Sequence, residues 1–562
     1  MSRGEAFALL LWLLVKPSLC QPEECKDQCN RQMFSSSVTD IPRVLKPSTT
    51  EVYFLNSQIE TIPKKAFFEN PQLEKIEFIE SNVASIEPGA LEGLVNLKAV
   101  EITGNPLATI PAGVFKDLEN LQTIGLKNNK LRNLEKGLFQ GLKNVIEIQL
   151  HGNEIDQIEE GTFDELENLE RLHLAKNNIS SVSTDLFSKL AKLQTLRLYE
   201  NQLTSVPEDI FDDLVGLEEL SLRNNLITHL PPDLFAKTKN LQKLFLSHNR
   251  LTSLPQGVFI NLPLLSQISL YKNQLESLGP GVFGPMPLKE LWLHDNKLSL
   301  VEDDTFSNLT QLFLLVLSRN QISHVSTGAF RGLEKIGEIS LHTNLLRSLQ
   351  AGTFRGLPNL FHISLEHNFL STLPAGVLQG VSQLENIDLH NNSFPNLPQT
   401  SLDTLTVVTK VLLQQNPWRC DRDILPLRDW LKNHPSKANQ SLLMCETPSG
   451  MNGELIVLLE DDDLIPLKST LEPVVNSTED SKPTVPQSTQ STSSSSNTVK
   501  TTPVSEVEEN AGDGQTENET ALNGTAVILV AVVSVVIIST VIVSCICWRR
   551  KKRGRADIGP QK

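Results

Sequence analysis

A pattern of hydrophobic and polar positions with a period of 24 residues runs through most of the chain. Each period contains the motif LxxLxLxxNxL, as in the segment from Leu169 to Ile179. The leucines of its LxL segment alternate with other residues, which predicts a short strand with the leucines directed inward. Stacked periods therefore predict a parallel sheet whose outward positions face solvent.

One asparagine per period ends each predicted strand, and we call this column the asparagine ladder. Its amide has donors and an acceptor for backbone groups that the turn would otherwise leave unpaired. Serine provides only part of this bonding, and Ser57 and Ser81 occupy the first two ladder positions. One residue is missing from the period beside Pro285 and Pro287. The ladder asparagines are Asn105, Asn129, Asn153, Asn177, Asn201, Asn225, Asn249, Asn273, Asn296, Asn320, Asn344, Asn368, Asn392 and Asn416.

A large apolar residue follows each ladder position by ten residues, which predicts a second buried column on the opposite, convex side. Of the 22 phenylalanines, 12 lie in this column, so the aromatic residues belong mainly to the core. The combined pattern is the leucine-rich repeat signature. The predicted fold is an α/β solenoid, a leucine-rich repeat horseshoe with a parallel concave sheet and a cap at each end.

Changes in composition divide the chain into seven segments. The apolar run after Arg3 is too short to span a bilayer and indicates a signal peptide. A Ser/Thr-rich stretch poor in aromatic residues indicates a disordered stalk, and an uncharged stretch then predicts one transmembrane helix. The segments are 1–20 signal peptide, 21–47 N-terminal cap, 48–416 about 15 repeats, 417–466 C-terminal cap, 467–524 stalk, 525–547 transmembrane helix and 548–562 basic tail.

The basic run Arg549 to Arg553 directly follows the predicted membrane helix. The positive-inside rule places this tail in the cytosol and the repeats outside, as in a type I single-pass protein of the plasma membrane. Cys545 and Cys547 lie at the predicted cytosolic membrane edge, which leads us to expect S-palmitoylation. The alternative is that these two cysteines are ordinary apolar residues of the predicted membrane helix and carry no modification.

The remaining cysteines predict disulfides in an oxidising compartment. Removal of Cys20 with the signal peptide leaves one pair on each side of the repeats, which predicts Cys25–Cys29 and Cys420–Cys445. If cleavage lies upstream, Cys20 pairs with one of the first two and leaves the other free. N-glycosylation is expected at the Asn-x-Ser/Thr sites Asn178, Asn308, Asn391, Asn439, Asn476, Asn518 and Asn523.

No catalytic, cofactor or metal motif is recognisable, so we predict neither an enzyme nor a bound cofactor or metal. His294, His342 and His390 occupy equivalent positions on alternate repeats. Their expected separation of ~10 Å is too large for one shared metal ion, and we interpret them as isolated, solvent-facing side chains. The formal net charge of −16 argues against a nucleic acid partner.

The outward strand positions are where ligand binding is expected. Phe245, Tyr271, Trp292 and Val316 lie on four successive predicted strands and predict an apolar strip of ~15 Å. Exposed aromatic residues flanked by charges are typical of binding hot spots. The alternative is that these residues are present only because aromatic side chains have a high propensity for strands. The candidate binding residues around the strip are Tyr199, Arg223, His294, Asp295 and Arg319, with Tyr53 and Arg197 at further outward positions.

The chain resembles the extracellular leucine-rich repeat proteins with cysteine-containing caps. Stretches 283–296, 317–323 and 416–430 are similar to a single-pass surface member of that family, whereas the N-terminal cap has two cysteines where four are usual, with Met33 about where a fourth would stand. The resemblance implies a non-enzymatic surface protein that contacts matrix proteins such as collagen, fibronectin or laminin and influences adhesion and migration. Two alternatives are a regulatory scaffold for a secreted enzyme and a co-receptor in signalling.

Overall fold

Seventeen short strands form one parallel sheet, in which each strand pairs with the equivalent strand of the next repeat. This confirms the predicted solenoid, and we call the solvent-facing side of the sheet the concave face. The strands are β1 (Arg31–Phe34), β2 (Glu51–Leu55), β4 (Lys75–Ile79), β6 (Ala99–Thr103), β7 (Thr123–Gly125), β9 (Glu147–Gln149), β11 (Arg171–His173), β12 (Thr195–Arg197), β13 (Glu219–Ser221), β14 (Lys243–Phe245), β15 (Gln267–Ser269), β16 (Glu290–Trp292), β18 (Leu314–Val316), β20 (Glu338–Ser340), β21 (His362–Ser364), β22 (Asn386–Asp388) and β23 (Lys410–Leu412).

The computed structural model describes residues 30–464. All the described residues belong to one compact unit. Several predicted features fall outside this range. They are the signal peptide, the Cys25–Cys29 pair, the stalk, the transmembrane helix, the basic tail with Cys545 and Cys547, and the glycosylation sites Asn476, Asn518 and Asn523. Between residues 30 and 464, no helix is both long enough and apolar enough to cross a membrane.

In the described part of the chain, three small strand pairs and two helices lie outside the large sheet. The pairs are β3 (Thr61–Ile62) with β5 (Ser85–Ile86), β8 (Asn133–Leu134) with β10 (Gln157–Ile158), and β17 (Leu300–Val301) with β19 (His324–Val325). The helices are α1 (Gln399–Leu405) and α2 (Leu425–Asn433), and short 3-10 turns occupy Arg422–Ile424, Gln440–Leu442, Ser449–Met451, Ile456–Leu458 and Asp461–Leu464.

The asparagine ladder joins neighbouring repeats by hydrogen bonds. Asn225 Nδ2 donates to Leu222 O in its own repeat and to Leu198 O in the preceding repeat, both at 3.0 Å. Its Oδ1 accepts from Leu203 N at 3.0 Å. Ser81 Oγ lies 3.2 Å from Phe54 O and 3.3 Å from Ile79 O, but its single proton can be donated to only one of them at a time. The buried amide therefore satisfies the backbone at the turn, as the sequence predicts.

The residue missing before Leu288 is absorbed in a loop and leaves the sheet intact. Ser269 on β15 remains in register with Trp292 on β16. The ladder bond also survives, since Asn296 Oδ1 accepts from Leu275 N at 3.1 Å, the same distance as in neighbouring repeats. The concave face is therefore continuous across the shortened repeat.

The phenylalanine column forms the convex side of the core, as predicted. Phe139 and Phe163 are typical, with ring centroids 6.0 Å apart and near-parallel planes. Each ring is almost fully buried, and burial of one such side chain contributes about 1.5–3 kcal/mol. Since this column and the leucines hold the solenoid together, the outward positions of the sheet are free to vary.

The C-terminal cap covers the last repeat. Trp418 and Trp430 are buried in it, and Trp418 stacks on Phe394. The disulfide joins Cys420 to Cys445, the pair that the sequence predicts, with Cα atoms 5.6 Å apart. The end of the solenoid is thereby shielded from water.

Candidate ligand-binding surface on the concave face

The parallel register arranges the outward side chains in columns across the repeats. In the column four residues before the ladder, Phe245 is paired with Ser269, Ser269 with Trp292, and Trp292 with Val316. Tyr271 belongs to a different column, two residues before its ladder asparagine. The structure therefore divides the predicted apolar strip, because Ser269 separates Phe245 from Trp292.

Four rings on the concave face contact one another, and we call them the aromatic cluster: His248, Tyr271, Trp292 and His294. Tyr271 stacks on His294, with ring centroids 4.5 Å apart and planes 8° apart. His248 meets Tyr271 edge-on at 5.3 Å, and Trp292 meets His294 edge-on at 5.9 Å. The ring contacts therefore restrict the four side chains, which are half-buried on the concave face. Of its members, His248 is absent from the sequence-based candidates.

Burial sets the charge of the two histidines in the cluster. Desolvation lowers the pKa of His294, against an opposing effect of Asp295, and Arg319 and Lys272 lower it further. Desolvation also lowers the pKa of His248, together with Lys272 and Arg223. Both imidazoles are therefore neutral at pH 7, and each has one donor and one acceptor nitrogen.

The predicted charged residues lie around the aromatic cluster. Asp295 Oδ2 lies 3.6 Å from Arg319 Nη1 and 3.8 Å from His294 Nε2. Trp292 Nε1 donates to Glu290 Oε2 at 3.2 Å, which holds the indole against the sheet. The cluster is consequently bordered by side chains of both signs, which favours an oriented protein ligand.

A left-handed backbone conformation directs several of these side chains. The residue directly before a ladder position has positive φ from Asn56 to Gln415, including His248 at 57°, Asp295 at 55° and Arg319 at 52°. Only glycine and a few polar residues adopt this conformation readily, and glycine takes it at Gly152. The side chains at these positions are therefore fixed by the turn, and the column that contains them could have been identified from the ladder.

Several buried polar atoms beside the aromatic cluster have no hydrogen-bonding partner in the protein. They include Ser247 Oγ, Ser269 Oγ, His294 Nδ1 and Asp295 Oδ2. Ser247 is fully buried and Ser269 is 7% exposed. Orphaned polar groups of this kind are uncommon in protein interiors. Four of the nine such atoms among the described residues therefore lie beside the aromatic cluster.

A recess of about 370 Å³ lies next to the aromatic cluster. We call it the Ser221 recess, because Ser221 on β13 lies between the equivalent residues Arg197 and Phe245 of the adjacent strands. The other residues around it are Lys176, Tyr199, Glu200 and Arg223. The recess thus brings together three of the predicted candidates: Tyr199, Arg223 and Phe245.

The later histidines differ from the sequence-based interpretation, which treated them as isolated and solvent-facing. His367 and His390 have ring centroids 5.0 Å apart, and His390 Nδ1 lies 2.6 Å from Asp388 Oδ1. The reason is that histidines in adjacent columns of neighbouring strands approach one another diagonally, a contact that a comparison along one column misses. Within residues 30–464, no three His, Cys, Asp or Glu side chains are placed to hold a metal ion.

Four of the predicted glycosylation sites lie within the described residues. Asn178, Asn308, Asn391 and Asn439 are all exposed. Asn391 lies on the concave side, where its Nδ2 is 2.6 Å from His367 Nδ1. A glycan on Asn391 would therefore cover the late histidines and leave the aromatic cluster, four repeats away, open.

Comparisons with known families match the repeats along much of the chain. A model described as Leucine rich repeat matches residues 191–251, 239–288, 286–346 and 334–394. A second, described as BspA type Leucine rich repeat region, matches residues 45–170 and 86–217. Together the two models extend over the predicted repeats from residue 45 to residue 394.

Individual relatives match only short stretches. The platelet glycoprotein Ib beta chain of Rattus norvegicus is 41% identical over 63 residues, which are 11% of this chain and 31% of that protein. Human leucine-rich repeat-containing protein 15 is 38% identical over 52 residues, 9% of each protein. This chain thus spans less than a third of these relatives' lengths. The similarity to leucine-rich repeat-containing protein 15 supports the family and not that particular member.

Solved structures share the solenoid. The Toll–Spätzle complex from Drosophila matches with a TM-score of 0.59 at 22% identity, over 77% of this chain and 68% of that chain. A leucine-rich repeat protein of Leptospira interrogans matches with a TM-score of 0.53 at 26% identity, over 68% of this chain and 93% of that chain. At the identity of the Toll match, the likeness shows the fold alone.

Proposed function

This chain belongs to the leucine-rich repeat family, and on that premise we propose that it is a cell-surface receptor or adhesion protein that binds an extracellular protein through its concave face. The aromatic cluster carries the proposal. It combines stacked rings, flanking charges and polar atoms without a protein partner on the concave face. Such composition is typical of binding hot spots.

The function is proposed to be binding and not catalysis. The family models support this, since leucine-rich repeat proteins of the receptor type are generally non-enzymatic. Toll in the structurally similar complex is bound to Spätzle, and a comparable use of the solenoid fits the surface described above. The net charge of −16 disfavours RNA as the ligand of this chain.

The proposed ligands are matrix proteins such as collagen, fibronectin or laminin, with consequences for adhesion and migration. A rigid sheet with varied outward side chains suits a large protein ligand, because the binding residues need little ordering on association. The predicted signal peptide, transmembrane helix and basic tail would hold the repeats outside the plasma membrane.

Cells that display the full chain provide a direct test. Labelled collagen, fibronectin and laminin are added separately, and saturable binding is compared with that of cells without the chain. The expected result is saturable binding of at least one protein, lost in the double variant Tyr271→Ala/Trp292→Ala. Equal binding to both kinds of cell for all three proteins would overturn the matrix proposal. Proximity labelling around the displayed chain would then identify whether another surface or secreted protein is bound.

A further inference from the structure

The Ser221 recess has an excess of positive charge that its own residues do not balance. Glu200 is the single carboxylate lining it, and it faces two cations. Its oxygens lie 3.8 Å from Lys176 Nζ and 3.5 Å from Arg223 Nη2, both too long for good hydrogen bonds. A second acidic group could therefore approach both cations without breaking a strong contact.

Cations near the recess also act on the histidines of the neighbouring repeats. The pKa of His173 is lowered to about 4, chiefly by desolvation and also by Arg197, against an opposing effect of Glu147. Desolvation likewise lowers the pKa of His151, with contributions from Lys127, Lys176 and Arg197. Arg197 therefore disfavours protonation of both histidines, in addition to the larger effect of desolvation.

The recess and the aromatic cluster lie within reach of one ligand segment. Strand β13 is two strands from β15 and three from β16, and a parallel-strand spacing of ~4.8 Å gives a separation of roughly 10–14 Å. An extended peptide covers this distance in about three to four residues. Phe245 borders the recess on one side and is paired with Ser269 on the other. The small Ser269 leaves room for a chain that crosses towards Trp292.

We propose that the ligand is a protein segment with two anchors: an Asp or Glu side chain in the Ser221 recess, and an apolar or aromatic side chain, three to four residues away, on the aromatic cluster. The inference rests on the proposed function and adds the chemistry of the partner. Lys176 and Arg223 attract the carboxylate. The hydroxyls of Tyr199 and Ser221 line the same recess and are potential donors to it. Tyr271, Trp292 and their histidine neighbours receive the apolar side chain.

Selection of random peptides tests both anchors at once. Phage that display random 12-residue peptides are selected on full-length protein in lipid nanodiscs, in parallel on wild type, Lys176→Glu/Arg223→Glu and Tyr271→Ala/Trp292→Ala. The expected wild-type consensus has Asp or Glu three to four residues from Trp, Tyr, Phe or Leu. Selection on Lys176→Glu/Arg223→Glu should lose the acidic position and keep the apolar one.

Affinity measurements complete the test. A peptide with the wild-type consensus should bind Lys176→Glu/Arg223→Glu at least about tenfold more weakly, and the difference should shrink as salt is added. Lys116→Glu is the matched control, because Lys116 is an exposed lysine on the convex side, and it should bind as wild type does.

The possible failures are distinguishable. A wild-type consensus without an acidic residue, or no consensus at all, overturns the two-anchor proposal. An acidic position that persists on Lys176→Glu/Arg223→Glu overturns the assignment to the recess and leaves the aromatic cluster as the site. If peptides bind Tyr271→Ala/Trp292→Ala as tightly as wild type, the aromatic cluster is not the binding site. That result would overturn the site assigned in the proposed function.

Discussion

Tyr271 lies flat against His294 on the concave face, with ring centroids 4.5 Å apart and planes 8° apart. Each residue lies two positions after the end of a strand, Tyr271 after β15 and His294 after β16, so the pairing of these strands sets the stacking distance. Neither ring belongs to the leucine core. The pair thus provides rigid apolar area at little cost to the solenoid, and each ring can be removed without opening a core cavity.

The double variant Tyr271→Ala/Trp292→Ala should weaken binding of the protein ligand by ~2 kcal/mol or more, as expected for hot-spot residues. The melting temperature should change little, because both side chains point away from the core. Binding to displayed chain and thermal unfolding measure the two effects. Phe369→Ala is the matched control, since Phe369 is an aromatic residue 46% exposed on the edge of another repeat. A double variant that melts normally and binds at wild-type affinity would move the site off the aromatic cluster.

The repeats, the ladder, the buried columns and the cap were accessible from the sequence because each rests on a strict spacing. The asparagines need the same bonds at every turn, and leucine and phenylalanine fill equivalent space in every repeat. The aromatic cluster was only partly accessible. Trp292 and Tyr271 could be identified as outward residues, but their histidine partners depend on diagonal contacts between different columns.

His248 illustrates what the spacing alone does not give. It lies directly before Asn249 in a left-handed conformation, φ 57°, which turns its ring towards Tyr271 of the next repeat. A comparison of equivalent positions across the repeats assigns His248 no neighbouring ring. The spacing likewise does not reveal the cationic character of the Ser221 recess. That character depends on the distances from the Glu200 carboxylate to Lys176 and to Arg223. Ion-pair distances follow from side-chain conformation and not from spacing.

Asn225→Ala should destabilise the solenoid by about 1–3 kcal/mol, because it leaves buried backbone groups unpaired. Leu203 N loses its partner, and Leu198 O and Leu222 O each lose one of two bonds, since Asn201 and Asn249 still donate to these carbonyls. Since repeats couple mainly to their neighbours, the loosening should be local at first. Hydrogen exchange should therefore speed up in the repeats of Asn201, Asn225 and Asn249. Glu208→Ala, at an exposed position, should leave exchange unchanged. Unaltered protection in Asn225→Ala would contradict the role given to the amide.

Cys545 and Cys547 are expected to carry S-acyl chains, because they lie at the predicted cytosolic edge of the membrane helix beside a basic run. Both lie outside the described residues, so this prediction depends on sequence alone. Acyl-exchange labelling of the full chain should give a signal that falls in Cys545→Ser and Cys547→Ser and disappears in the double variant. Absence of labelling in wild type would show that the two cysteines are apolar filler.

The stability of the repeats should decrease as the pH falls from about 6.5 towards 4, and His173 should account for part of the loss. Its pKa is about 4 in the folded chain, against 6.5 for an unperturbed histidine, chiefly because of desolvation. The unfolded chain therefore binds more protons between these values. The stabilisation is complete above pH 6.5, is lost as the pH falls, and changes no further below about pH 4. The side chain of His173 is 14% exposed.

His173→Gln removes this titration while keeping a polar side chain of similar reach. Between pH 7.5 and 4.5, wild type should lose about 1–2 kcal/mol more of its free energy of unfolding than His173→Gln, a value reduced from the full shift because the ring is partly solvated. Denaturant unfolding at several pH values measures the difference. Thr195→Ala, on the adjacent strand, removes no titrating group and should follow the wild-type pH profile. Parallel profiles for wild type and His173→Gln would show that the buried imidazole is not the origin of the acid sensitivity.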